Sequence, residues 1–330
     1  MTRDNRFRSS LNYYSEQFNE LNDTTSKLID RGICHYMNND YARAVSKFEN
    51  AVGISKGSVA YMFLGVAYEA SWNSRESALS AYTRALGRDS MNYVALDRRG
   101  HLFLEKQMYK EAIKDYSQLI SVRRKDKMPY KRRGIAYMKV GKLRHSYKDL
   151  TTAIVLDSTD TDLYYNRGTC TYHMKFYSES IKDFKRITTM NPSDGEGYFM
   201  LHRNYLALGD TTRAIAVLDS ASKHHRYNEN YHQKFVDLTL AYGETDLTKI
   251  GHDRLVRYFS HKSAYRINRG KFYLKQENFD LAQEDFEQVI KYDKTNGEAY
   301  YYLAIILGNQ GNVKGSERAL NKSRKYGFRK

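Results

Sequence analysis

One spacing constrains this chain more than any other feature. Gly32, Gly65, Gly100, Gly134, Gly168 and Gly270 follow one another at intervals of 33, 35, 34, 34 and 102 residues, the last being three times 34. The same frame passes through His202 and Val236 and reaches Ala304 one step beyond Gly270. Twelve residues after the anchors stand small side chains: Ala44, Ala112, Ser146, Ser180, Ala214, Ala282 and Ser316, with Ala78 thirteen after Gly65. Four residues later come large apolar ones: Phe48, Tyr82, Tyr116, Leu150, Phe184, Leu218, Phe286 and Leu320. Steps of three and four belong to a helix, not to a strand with its alternation. Small residues let two helices approach closely, and the large residue fills the space between them. Breakers at Asn38-Asn39-Asp40, Gly141-Lys142, Gly209-Asp210 and Gly308-Asn309 split each unit into two helices. A period of this length means an array in which each unit buries its apolar face against the next. Only 2 prolines in 330 residues fit an all-α chain.

Four residues before the anchors the chain carries Leu28, Tyr61, Leu96, Tyr130, Tyr164, Tyr198 and Tyr300. With the segments YYNRGTCTYHMKFYSESIKDF (Tyr164 to Phe184) and INRGKFYLKQENFDLAQEDF (Ile267 to Phe286), this pattern resembles the tetratricopeptide repeat family. Of the prolines that the family favours near the end of the second helix, only Pro192 is present. The resemblance implies an all-α, right-handed α-solenoid, a superhelix of about nine helix-turn-helix repeats. Their expected bounds are 25–57, 58–92, 93–126, 127–160, 161–194, 195–228, 229–262, 263–296 and 297–330. Residues 1–24 form an expected capping helix or tail with an apolar stripe of Leu11, Tyr14, Phe18 and Leu21. Repeat seven is degenerate, with Val236, Thr248 and His252 in the glycine, small and large slots.

Catalysis finds little support in the sequence. Cys34 and Cys170 both lie two residues after an anchor, where other repeats have Ala67 and Ala136, so both thiols are expected to be buried packing residues. Trp72 is expected at the surface of a turn. The ten histidines show no metal-ligand spacing, and no phosphate-binding, nucleophile-elbow or dinucleotide motif occurs. The chain is read as a non-enzyme without cofactor or metal. No apolar run of about 18 residues is present, the first 24 residues lack the apolar core of a signal peptide, and two cysteines make no disulfide framework. Together these lead to the expectation of a cytoplasmic protein.

A formal charge of +16 favours acidic partners. Not every cation is available to them. Arg99, Arg133, Arg167 and Arg269 immediately precede an anchor, and each has an aspartate sixteen residues on: Asp115, Asp149, Asp183 and Asp285. Arginine and aspartate appear or disappear together except in repeat one, where Arg31 faces Lys47, which marks a structural pair within a repeat or between neighbours. In the tetratricopeptide family the first helix of each repeat lines a concave groove. That resemblance points to Met62 and Phe63 at an apolar N-terminal end, then Arg98 and His101, Lys131 and Arg132, and Tyr165 and Asn166 as groove residues. Arg98, Lys131 and Arg132 have no acid at the sixteen-residue offset and are expected to receive carboxylates. The carboxylate clamp of Hsp90 and Hsp70 co-chaperones is not matched: Lys131 and Asn166 fit, but Ile135, Glu196 and Met200 do not. The expected function is a non-catalytic scaffold binding an acidic or amphipathic segment of another protein. The alternative is single-stranded RNA held by the basic, tyrosine-rich groove, although most of the 30 tyrosines fall at packing positions.

Overall fold

The computed structural model describes residues 3–17, 22–71 and 75–328, so Phe18, Leu21 and Trp72 lie outside the described residues. The chain divides into two compact units, 1–183 and 184–330. The described residues form nineteen α-helices and no strand. In the first unit α1 (Arg3–Gln17) precedes the pairs α2 (Asp23–Met37) with α3 (Tyr41–Ser55), α4 (Ser58–Ala70) with α5 (Arg75–Arg88), α6 (Tyr93–Glu105) with α7 (Tyr109–Val122), and α8 (Lys127–Lys139) with α9 (Leu143–Leu156). The fifth pair, α10 (Thr161–His173) with α11 (Tyr177–Met190), carries the boundary inside its second helix. The second unit continues with α12 (Gly195–Ala207) and α13 (Thr211–His224), α14 (Glu229–Ala241) and α15 (Thr245–Tyr258), α16 (Ser263–Lys275) and α17 (Phe279–Tyr292), and α18 (Gly297–Asn309) and α19 (Val313–Lys325).

Close approach explains the anchors. A methyl group placed on Gly65 would lie 2.5 Å from the Tyr82 ring, and one on Gly100 2.9 Å from that of Tyr116. Phe48, Tyr82, Tyr116, Leu150 and Phe286 are wholly buried. The turn between paired helices is equally regular. Seven residues after the anchor the backbone is left-handed at Asn39, Gln107, Gly141 and Lys175 in the first unit, and at Gly209, Gly243, Glu277 and Gly311 in the second. The last turn is thus made at Gly311; Gly308-Asn309, expected to make it, closes α18 instead. Asp and Asn side chains cap seven of the nine first helices, α4 and α16 excepted, as where Asn92 Oδ1 accepts from the Ala95 amide at 2.9 Å and Asp194 Oδ1 from that of Gly197 at 2.8 Å.

Repeat seven keeps the packing by exchanging its parts. Val236 fills the glycine slot, and the missing space reappears on the opposite helix, where a methyl on Gly251 would lie 2.6 Å from Val236 Cγ2. Repeat six has an imidazole in the anchor slot: His202 Nδ1 lies 3.3 Å from the Ala214 carbonyl of its small slot. In two of the three repeats whose small slot is serine, the contact reverses. Ser180 Oγ donates to the Gly168 carbonyl at 2.8 Å and Ser316 Oγ to that of Ala304 at 2.7 Å.

The four arginines ahead of the anchors each join three helices. Arg133 donates from Nε and Nη2 to Asp149 at 2.7 and 2.8 Å within its repeat, and from Nη1 to Ser117 Oγ of the preceding repeat at 3.0 Å. Arg99 holds Asp115 and Thr83, Arg167 holds Asp183 and Thr151, and Arg269 holds Asp285 and Asp253, always sixteen residues to either side. The expected Arg–Asp pair is therefore the one within a repeat, while the neighbouring repeat offers a hydroxyl to Arg99, Arg133 and Arg167 and a second aspartate, Asp253, to Arg269.

The two thiols differ. Cys170 is buried with Sγ 3.2 Å from the carbonyl of Leu143, the first residue of the preceding repeat's second helix. Cys34 is exposed, against the expectation, because the first repeat has no preceding second helix to cover that slot. Nor does α1 cover it.

Candidate peptide-binding face

The first helix lies across other first helices. Phe7 stacks on Tyr36 of α2 with ring centroids 4.1 Å apart and meets Phe63 of α4 edge-on at 6.2 Å. Tyr14 packs edge-on against the other side of the same site, 5.6 Å from Phe63, and its hydroxyl donates to Asp30 at 3.0 Å. Tyr13 reaches α6, edge-on to Tyr93 at 5.2 Å, while its hydroxyl donates to Asp89. Phe7, Ser10, Leu11 and Tyr14 form the covered stripe, at the i, i+3, i+4, i+7 spacing of a helix held in a groove; Arg8, Asn12, Ser15 and Glu16 are exposed on the far side. Burial and the facing carboxylates raise the pKa of both tyrosines, as expected for O–H groups that donate to an anion.

Met62 and Phe63, the expected open apolar end, are 0% exposed and share one buried cluster with Phe7, Tyr13 and Tyr14. That end of the face is occupied by the chain itself.

The expected row of unpartnered cations is also absent from this unit. Arg98, 7% exposed, pairs with Glu69 of α4; Arg132, 9% exposed, pairs with Asp97 of α6; Lys131 Nζ lies 2.8 Å from Asp162 Oδ2 of α10. The pairs alternate along consecutive first helices and tie α4, α6, α8 and α10 together. Burial by itself would depress both guanidinium groups, but Tyr82 and Glu69 around Arg98, and Asp97 with Tyr116 around Arg132, hold them above their ordinary value. The carboxylates belong to the neighbouring repeat, so an offset search within one repeat does not find them.

His101 is half-buried, with Nδ1 3.6 Å from Glu105. Tyr165 and Asn166 are half-buried on α10, and Asn166 donates to the Asp162 carbonyl of its own helix at 2.6 Å. The basic run after α7 is exposed from Arg123 to Asp126, and the Arg123 guanidinium sits 3.8 Å from the centroid of the Tyr93 ring. A cleft of about 170 Å³ opens beside α1, with Asn12, Tyr93, Asp97, Arg98 and Arg123 among its walls. Phe7, Tyr13, Asp30, Glu69 and Asp89 escaped the sequence reading; Phe7, four residues before Leu11, extends the stripe and was open to discovery.

Among the described residues no group of three or more His, Cys, Asp or Glu side chains is placed to hold a metal ion, and no helix is long and apolar enough to cross a membrane.

No match was found among curated proteins. A tetratricopeptide repeat protein from Parabacteroides merdae is similar in structure, with a TM-score of 0.51 at 16% identity over 90% of this chain and 100% of that one. A MamA segment from Desulfovibrio magneticus RS-1 gives a TM-score of 0.48 at 14% identity over 52% of this chain and 98% of that one. At such identities the likeness is one of fold alone. Residues 93–126 and 267–327, one stretch in each compact unit, match family models described as tetratricopeptide repeat. Among the described helix pairs eight share the left-handed turn, six the glycine anchor and four the arginine clamp, and the chain belongs to the tetratricopeptide repeat family.

Proposed function

We propose that the protein is a non-catalytic interaction scaffold that takes an amphipathic segment of another protein on the face of its first helices. One observation carries this reading: that face already holds an amphipathic helix, α1, seated by Phe7 and Tyr14 against Phe63. Met62 and Phe63 form its apolar floor. Beyond α1, the half-buried side chains of His101, Lys131, Tyr165 and Asn166 extend the same face along α6, α8 and α10 and are the proposed contacts for a ligand. Arg98 and Arg132 contribute by holding adjacent first helices in place. The occupant is amphipathic rather than strongly acidic, because each cation of this stretch stands beside a carboxylate of Glu69, Asp97 or Asp162. The same carboxylates oppose the phosphates of RNA.

The test is selection of helical peptides from a displayed library on the immobilised full-length protein. Tyr165→Ala and Lys131→Met should each weaken the selected peptides about tenfold, roughly 1.4 kcal/mol, whereas Val155→Ser on α9 should leave them unchanged. Equal binding by all four proteins defeats the reading. A 20-residue oligouridine that binds with a steep salt dependence, about −0.7 in log–log slope per phosphate neutralised, replaces it with RNA binding.

A further inference from the structure

We infer that α1 is a resident competitor on this face, displaced when a partner helix of matching pattern binds; the inference rests on the scaffold reading above. The partner it specifies is a helix with two aromatic residues seven apart, a small residue at the fourth position of that stretch, an aliphatic one at the fifth and a further hydroxyl donor at the seventh, as in Phe7, Ser10, Leu11, Tyr13 and Tyr14. Its polar requirement is equally defined. Asp30 and Asp89 both accept hydroxyl donors from α1, so the partner presents tyrosine hydroxyls or cations there, and an acidic segment is excluded from this end.

The composition of α1 suits a ligand that can be replaced. Its 15 residues include Asn5, Ser9, Ser10, Asn12 and Ser15, all poor helix formers. A helix of that length is marginal in water even for good formers, so α1 is helical because it is docked. Detaching it exposes Phe7 and Tyr14 but leaves every repeat pair intact, since α1 supplies neither helix of any repeat. Residues 18–22 join it to α2, which places it at an effective concentration on the order of millimolar. A partner with better helix formers at the outward positions overcomes that advantage without new contacts, because less of its binding energy goes into ordering.

The probe is a fluorescein-labelled peptide of residues 1–21 added to the full-length chain. The Phe7→Ser/Tyr14→Ser chain, whose own α1 is weakened, should bind the peptide at least tenfold more tightly than the unaltered chain does. A peptide carrying the same two substitutions should not bind either. Hydrogen exchange on the unaltered chain supplies a readout independent of variant folding: α1 amides should exchange at least tenfold faster than those of α4. Equal exchange in α1 and α4, or no gain in peptide binding by the variant chain, overturns the inference. So does a dimer in solution that dissociates as free peptide is added, which would make the occupant the α1 of a second copy. Library peptides sensitive to Tyr165 but indifferent to the α1 variant would overturn it too, while leaving the scaffold reading in place.

Discussion

Repeat four and repeat seven reach the same helix pair by different means. In repeat four Gly134 faces Leu150, and Arg133 locks the two helices through Asp149. Repeat seven has Val236 facing Gly251, with Phe235 in the arginine slot, Gly251 itself in the aspartate slot and His252 in the slot of Leu150. The fold thus requires complementary volume across the helix crossing, and a glycine on either side supplies it. What repeat seven gives up is the polar clamp, and a buried, neutral imidazole stands in its large slot.

The largest effect should come from removing that compensation. Gly251→Leu forces side-chain atoms into Val236 and Phe235 and should destabilise the second unit by about 3 kcal/mol. Combining it with Val236→Gly moves the missing volume to the other side of the crossing and should recover most of the loss in urea denaturation. A Gly251→Leu chain as stable as the original would break the comparison.

Acid should separate the two repeats next. Burial pushes His252 down to about 4, with Arg269 adding to the effect against Asp253, Asp285 and Asp237, and burial also lowers His202 and His232. Their folded forms bind protons less readily than the unfolded chain, whose histidines titrate near 6.5. The stability they contribute is therefore complete above about pH 6.5 and is lost as pH falls toward 4. For His252 the loss amounts to roughly 2–3 kcal/mol. Hydrogen-exchange protection in 229–262, taken relative to the intrinsic rate at each pH, should fall over this range while that of 127–160, whose single His145 is exposed, changes less. A His252→Phe chain should lose most of the dependence, and parallel acid responses in the two segments would refute the assignment.

The smallest of the three effects concerns the clamp itself. Asp149→Ala leaves the Arg133 guanidinium partly buried and uncompensated, at a cost of about 2 kcal/mol once its residual exposure is allowed for. Replacing both by leucine should cost less than the single change. Additive losses in that cycle would show that the pair acts through packing alone.

Much of this was legible because it recurs in register. The six glycine anchors, the eight large residues opposite them and the four Arg–Asp pairs sit at fixed offsets, so repetition of one arithmetic reveals them. The face of the first helices is another matter. Arg98 pairs 29 residues back with Glu69, Arg132 35 residues back with Asp97, and Lys131 31 residues ahead with Asp162, so no single offset exposes them. Repeat periodicity says nothing of α1, which belongs to no repeat; its apolar spacing at Leu11 and Tyr14 marks the covered stripe, which Phe7 extends. Cys34 misled for the opposite reason, since its register slot is buried only when a repeat precedes it.

The arginine clamps also impose an order on assembly. Each guanidinium reaches back to a residue already made, Thr83, Ser117, Thr151 or Asp253, and forward to an aspartate sixteen residues still to come. On a ribosome a first helix can therefore dock on the finished repeat behind it before its own second helix exists. For Arg99, Arg133 and Arg167 that early contact is a single neutral hydroxyl, weak enough to undo if the helix has docked out of register. Arrival of Asp115, Asp149 or Asp183 then makes the placement firm. In those three clamps the weaker contact is the one available first and the stronger one follows with the next helix, whereas Arg269 meets an aspartate on both sides.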